Sequence, residues 1–163
     1  MKDIVLIQQK SELRKIVLEL LKYNKYSAAY ALSLTKRQAL EIVKTRAQAL
    51  QNNGRIEFKE DIYGKMILAF CSSQYMTKEN YADTLMELIE IFYYFKNETM
   101  DQISDEELIQ LMQRSFNGVC CGSLELLRHR ELERIAQLFR EKGIRFDPGK
   151  IDLTDEGDAD DAQ

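Results

Sequence analysis

The stretch "SFNGVCCGSLELLRH" (residues 115–129) concentrates the reactive side chains of this chain. It holds two of the three cysteines, adjacent at Cys120 and Cys121, and the single histidine, His129. A structural zinc site needs four ligands, usually drawn from CxxC pairs, and two adjacent cysteines do not easily turn both sulfurs onto one ion. No metal site is predicted. A nucleophilic or redox thiol needs a depressed pKa, and a helix capped by Ser123 would lend its N-terminal dipole to the cysteines just ahead of it. A Cys–His pair needs contact, whereas His129 follows the two thiols at a distance of roughly 12 Å along a helix axis. Packing explains the pair without chemistry: small residues suit a close helix junction, and free cysteine is among the most buried residue types. Structural cysteines are therefore the favoured reading, with a cysteine-dependent or redox enzyme at Cys120/Cys121 as the rival.

Other catalytic constellations are missing. With one histidine, acid–base work would fall to carboxylates, and the acidic run Asp105, Glu106, Glu107 sits where the first turn of a helix favours negative charge. The chain has no GxSxG, GxxxxGK[ST], HExxH or GxGxxG. No cofactor is predicted, and an enzyme is the less favoured class.

Charge is segregated along the chain. Residues 1–59 carry 12 Lys/Arg against 5 Asp/Glu, residues 60–150 carry 11 against 16, and residues 151–163 carry six acids and no base. The basic third could meet an acidic partner or nucleic acid, or be neutralised by the acidic remainder of the same fold; neutralisation is the favoured expectation. Lys36, Arg37, Lys44 and Arg46 are the candidate phosphate contacts. Around them, "LTKRQALEIV" (residues 34–43) resembles the opening of helix-turn-helix domains of the response-regulator type through Leu34, Thr35, Arg37 and Gln38. The resemblance implies DNA binding, but the turn and recognition helix of that family are replaced by one continuous helical pattern. A capping box leading into an amphipathic helix accounts for these residues, and nucleic acid is the third-ranked partner.

Aromatic and basic residues off the apolar stripes point instead to protein recognition. In "IFYYFK", Phe92 and Phe95 belong to a core stripe, while Tyr93 and Tyr94 face elsewhere. In "ELLRHRELERIAQLFR", Arg128, His129, Arg130 and Glu131 interrupt the apolar face for about one turn. Tyr93, Tyr94, Arg128, His129 and Arg130 form the candidate partner surface. A surface cluster including Tyr23, Tyr26 or Tyr30 would strengthen a dimer or partner site.

The elements that must position these groups are helical. A single proline and seven glycines leave few forced turns, and 45% apolar with 31% charged residues is ordinary globular composition. Leu13, Ile16, Val17, Leu20 and Leu21 mark one amphipathic helix. "YSAAYALSL" reads as a short buried helix capped by Ser27. Thr35 with Gln38 opens a third helix that Asn53-Gly54 closes, with Ala39, Leu40, Val43, Ala47 and Leu50 inward. "RIEF" alternates and predicts a short extended segment. Ile62, Met66, Ala69 and Phe70 mark the next helix. Thr77 precedes the longest one, striped by Tyr81, Leu85, Leu88, Phe92 and Phe95; Ser104 with Glu107 caps another; the last runs from about Ser123 to Lys142.

The predicted fold is all-α: a single-domain bundle of about six helices over residues 1–150, with a minor short β pairing through "RIEF" or "IRF" and an acidic disordered tail over 151–163. No apolar run approaches the length that crosses a bilayer, the N-terminus lacks a secretory pattern, and three cysteines suit a reducing compartment. The expectation is a small cytoplasmic interaction or regulatory module that binds a protein partner or itself.

Overall fold

The computed structural model describes residues 2–59 and 61–142. The expected tail over 151–163 and the "IRF" stretch lie outside the described residues. The chain divides into two compact units, Met1–Tyr94 and Phe95–Gln163, and the boundary falls within a helix.

In the first unit, α1 (Lys2–Leu21) is followed by α2 (Asn24–Ser27) and a 3₁₀ turn (Ala28–Tyr30); α3 (Lys36–Asn52), α4 (Ile62–Phe70) and α5 (Tyr81–Glu98) complete it. The Thr35 hydroxyl accepts from the Gln38 N–H at 3.1 Å, and the Gln38 carboxamide oxygen accepts from the Thr35 N–H at 2.9 Å. Two orphan donors of the α3 N-terminus are thereby satisfied. Gly54, at φ +62°, ends α3, and the Arg55 N–H turns back to the Leu50 carbonyl at 2.8 Å. Thr77 and Asn80 make a similar reciprocal pair ahead of α5. Leu20 of α1, Ile42 of α3, Met66 and Ile67 of α4 and Leu85 and Ile89 of α5 converge at the core.

Two local expectations are corrected. Ser27 stands at the N-cap position of the 3₁₀ turn but makes no side-chain cap bond: it is buried, its hydroxyl donates to the Leu32 carbonyl at 2.7 Å, and Ala28–Tyr30 beyond it are exposed. The inward face of α3 is Ala39, Ile42, Val43, Arg46, Ala49 and Leu50, so Ala47 points out and a charged residue takes a core position. Helical spacing allowed both faces, and the apolar count alone did not anticipate a buried arginine.

In the second unit, the end of α5 leads through a turn to α6 (Asp105–Asn117). Then α7 (Leu124–Leu126), a π-helical segment (Leu127–Leu132) and α8 (Glu133–Lys142) run on as one helix. The second capping box forms as predicted, with Ser104 Oγ accepting from the Glu107 N–H at 3.2 Å. Lys96, buried, donates to the Ile103 carbonyl at 2.6 Å and pairs with Asp105 at 2.9 Å, fastening the α5–α6 turn. The π segment accounts for the break in the apolar stripe. Five residues separate Leu127 and Leu132, which in an α-helix places them about 140° apart. A turn with i→i+5 hydrogen bonds returns both to the buried face.

Among the described residues there are six principal helices and no strand; Arg55–Phe58 joins no ladder, so the minor β pairing does not form there. No described helix is long and apolar enough to cross a membrane.

Candidate interaction surface

The second unit separates the residues first suspected of chemistry. Cys120 is buried, its N–H bonded to the Ser115 carbonyl at 3.0 Å; burial, and then the neighbouring Glu131 carboxylate, push its thiol up to about 11. A thiol so shifted is protonated and unreactive at neutral pH. Cys121 is exposed at φ +48°, in the turn that Gly122, at φ +80°, completes before the Ser123 N-cap. His129 and Arg130 are exposed on the π segment and Arg128 is half-buried. Glu131, the last of the four polar residues that interrupt the apolar face, is buried and pairs with Arg134 at 3.3 Å and Arg130 at 3.7 Å. Among the described residues, no cluster of three or more His, Cys, Asp or Glu could hold a metal ion.

Tyr93 and Arg46 need correction as surface residues. Both are buried in the first unit, where Arg46 Nε–H donates to the Tyr93 hydroxyl at 3.1 Å. The hydroxyl donates in turn to Glu57 at 3.0 Å. Arg46 also donates to the Lys59 carbonyl, lies 3.6 Å from the Glu57 carboxylate and stacks over the Tyr63 ring at 5.6 Å. Burial works against the guanidinium charge, but the hydrogen bond and charge of Tyr93 and the contacts with Tyr63 outweigh it, and the Arg46 pKa is raised. The Tyr93 phenol is pushed up, burial prevailing over the pull of Arg46. Arg46 is thus engaged and unavailable to a phosphate, while Lys36, Arg37 and Lys44 remain exposed on α3. Tyr94 is 43% exposed at the end of the first unit, whereas Arg128, His129 and Arg130 belong to the second.

This buried network gives the alternation in "RIEF" a different meaning. Arg55 and Glu57 turn inward, bonded to each other at 3.1 Å, with the Arg55 guanidinium 6.0 Å from the Tyr93 ring. Period-two alternation then drives Ile56 and Phe58 outward, where they are 83% and 93% exposed. Two large apolar side chains are held in water by a segment pinned at Arg55, Glu57 and Lys59. Burying either would contribute about 1.5–3 kcal/mol.

The same segment leads into a cleft. Tyr23, between α1 and α2, separates two hollows of about 170 and 250 Å³. The first is lined by Glu19, Lys22, Lys25 and Tyr26, the second by Ile16, Glu19, Leu20, Asp61 and Tyr63. Tyr23 is seated by Gly64, since a Cβ there would overlap the ring at Cζ and the hydroxyl. Tyr26, about half exposed, lies 6.0 Å from Tyr23 ring to ring, and Tyr30 is exposed nearby in sequence. Nine bases against three acids are exposed over residues 8–59, so most of the basic third faces solvent rather than being turned into the fold.

The family model that matches this chain covers residues 19–144, from the end of α1 to the end of the described structure. The chain belongs to DUF6323, a family of unknown function. No curated protein and no solved structure matches it. The DUF6323 match includes both Tyr23 and Phe58, so the extended segment and the cleft lining apart from Ile16 lie within the family's own span.

The candidate surface residues that the sequence reading does not single out are Ile56, Phe58 and Lys25, whereas Tyr23 is among the aromatics it names. A signal for the first two was present in the alternation of "RIEF", but alternation does not say whether a second strand covers the outer face.

Proposed function

We propose that this chain is a cytoplasmic protein-interaction module that engages its partner through the extended segment around Ile56 and Phe58. The exposure of these two side chains, on a backbone pinned from inside by Arg46, Glu57 and Tyr93, carries the reading. Interfaces draw much of their energy from a few large anchors, and an anchor held in place loses little conformational freedom on binding. Among the described residues the N–H groups of Ile56, Glu57 and Phe58 make no backbone hydrogen bond, so an incoming extended segment would find free donors. Three free cysteines support a reducing compartment.

A photo-crosslinking residue placed at Phe58 in the full chain, compared with one at the exposed Asp83 of α5, tests this in the native cell. Position 58 should give a defined adduct with one protein or with a second copy, and the complex re-formed from purified components should be lost with Ile56→Asp. No adduct beyond that at position 83, or a complex indifferent to Ile56→Asp, would refute the reading.

A further inference from the structure

We infer that the cleft beside Tyr23 receives an acidic peptide segment of the partner, with one apolar side chain lodged against Tyr23 and carboxylates meeting Lys25 and the exposed bases around it; this deepens, and rests on, the interaction reading above. The floor of the cleft is apolar: Ile16, Leu20 and Tyr63 line it with the Tyr23 ring, which the absence of a side chain at Gly64 allows to sit deep. A hollow of this size accepts one apolar side chain rather than a drug-sized molecule.

The charges around the cleft set the sign of what enters. Glu19 is paired with Lys22 at 2.7 Å and Asp61 with Lys65 at 3.1 Å. The Lys22 and Lys65 partners hold both carboxyls below their ordinary pKa, so both are ionised and neutralised locally. Lys25 has no ion-pair partner among the described residues; its ammonium lies 4.9 Å from the Tyr26 ring centre. Besides Lys22 and Lys25, seven further exposed bases over residues 8–59 favour approach by negative charge. A peptide fits better than single-stranded nucleic acid, which needs free aromatic faces for stacking. Here Gly64 packs against the Cζ–hydroxyl end of Tyr23 and Lys25 lies over Tyr26.

The test is selection of a random dodecapeptide display library against the full chain, with affinities of enriched peptides measured by fluorescence anisotropy on the wild type and on the Lys22→Glu/Lys25→Glu variant. Both lysines are exposed, so the variant keeps the fold. Enriched peptides should combine net negative charge with an aromatic or branched aliphatic residue and bind the variant about tenfold more weakly. Replacing that apolar residue by Ser should weaken binding comparably. Neutral or basic winners, no enrichment, acidic winners indifferent to the loss of their apolar residue, or affinity unchanged in the variant would overturn the inference. So would a single-stranded oligonucleotide of equal charge binding more tightly at the same salt. A defined adduct at position 58 together with any of these results would leave the interaction reading standing and remove only the acidic-segment assignment.

Discussion

Arg46 and Tyr93, 47 positions apart in sequence, meet in the core of the first unit, Arg46 Nε–H donating to the tyrosine hydroxyl at 3.1 Å. The contact joins α3 to α5. Through Glu57 and the Lys59 carbonyl it also fixes the segment that carries Ile56 and Phe58. A buried charge is tolerated only when it is paired and its donors are used; here Tyr93 and the Lys59 carbonyl accept from Arg46, and the Glu57 carboxylate lies 3.6 Å away as its counter-charge.

Removing that charge is expected to be expensive. Arg46→Ala should destabilise the chain by about 3 kcal/mol, because the buried Tyr93 hydroxyl loses its donor and the inward Glu57 loses one of its two cationic neighbours. Tyr93→Phe, which deletes the two hydrogen bonds of the hydroxyl and keeps the ring, should lower stability by about 1–2 kcal/mol. Urea unfolding of both variants checks the order; equal or negligible losses would contradict the network.

The outward pair behaves oppositely. Phe58→Asp should leave unfolding unchanged within about 0.5 kcal/mol, since the side chain is 93% exposed. A larger loss in the same urea titration would mean that Phe58 packs against the protein rather than being presented.

Gly64 and Tyr23 should be coupled. Gly64→Ala is expected to destabilise by about 1–3 kcal/mol through overlap with the Tyr23 ring. Adding Tyr23→Ala should relieve most of that penalty in a double-mutant cycle. Additive losses would show that the two residues do not touch.

The thiols divide by burial. One equivalent, Cys121, should react with a disulfide reagent in the native protein, and Cys71 and Cys120 only after denaturation. Cys120→Ser should leave the fast phase intact and Cys121→Ser should abolish it. Fast reaction of Cys120 would revive the redox reading.

Stability should fall in alkali. Burial raises Tyr81 from 10.0 to about 12, Cys120 from 9.0 to about 11, and Tyr93 as well, so the folded state keeps protons that the unfolded chain releases. Each group's contribution is complete below its unfolded pKa and is lost as pH rises through the folded one. Denaturant midpoints should be flat near neutrality and drop between pH 9 and pH 12, Tyr81 alone accounting for roughly 2–3 kcal/mol. A flat midpoint across that range would be incompatible with buried, protonated phenols.

The helical fold was legible in the sequence because its signals are local. The Thr35–Gln38 and Ser104–Glu107 capping boxes act over three residues, and the Tyr81–Leu85–Leu88–Phe92–Phe95 stripe repeats within one helix. Hydrogen bonding and helical periodicity of this range leave their residues close together in the chain. The interaction surface was not legible, because side-chain direction at Arg46, Tyr93 and Phe58 depends on what lies opposite in space. Arg46 looked like a solvent-facing base until Tyr93, Glu57 and Tyr63 surrounded it. The alternation of "RIEF" predicted two faces; only the tertiary packing decided that the charged face turns in and the apolar face out. A buried ion network can reverse the usual hydrophobic-in rule when its long-range partners satisfy every charge, and sequence spacing does not encode those partners.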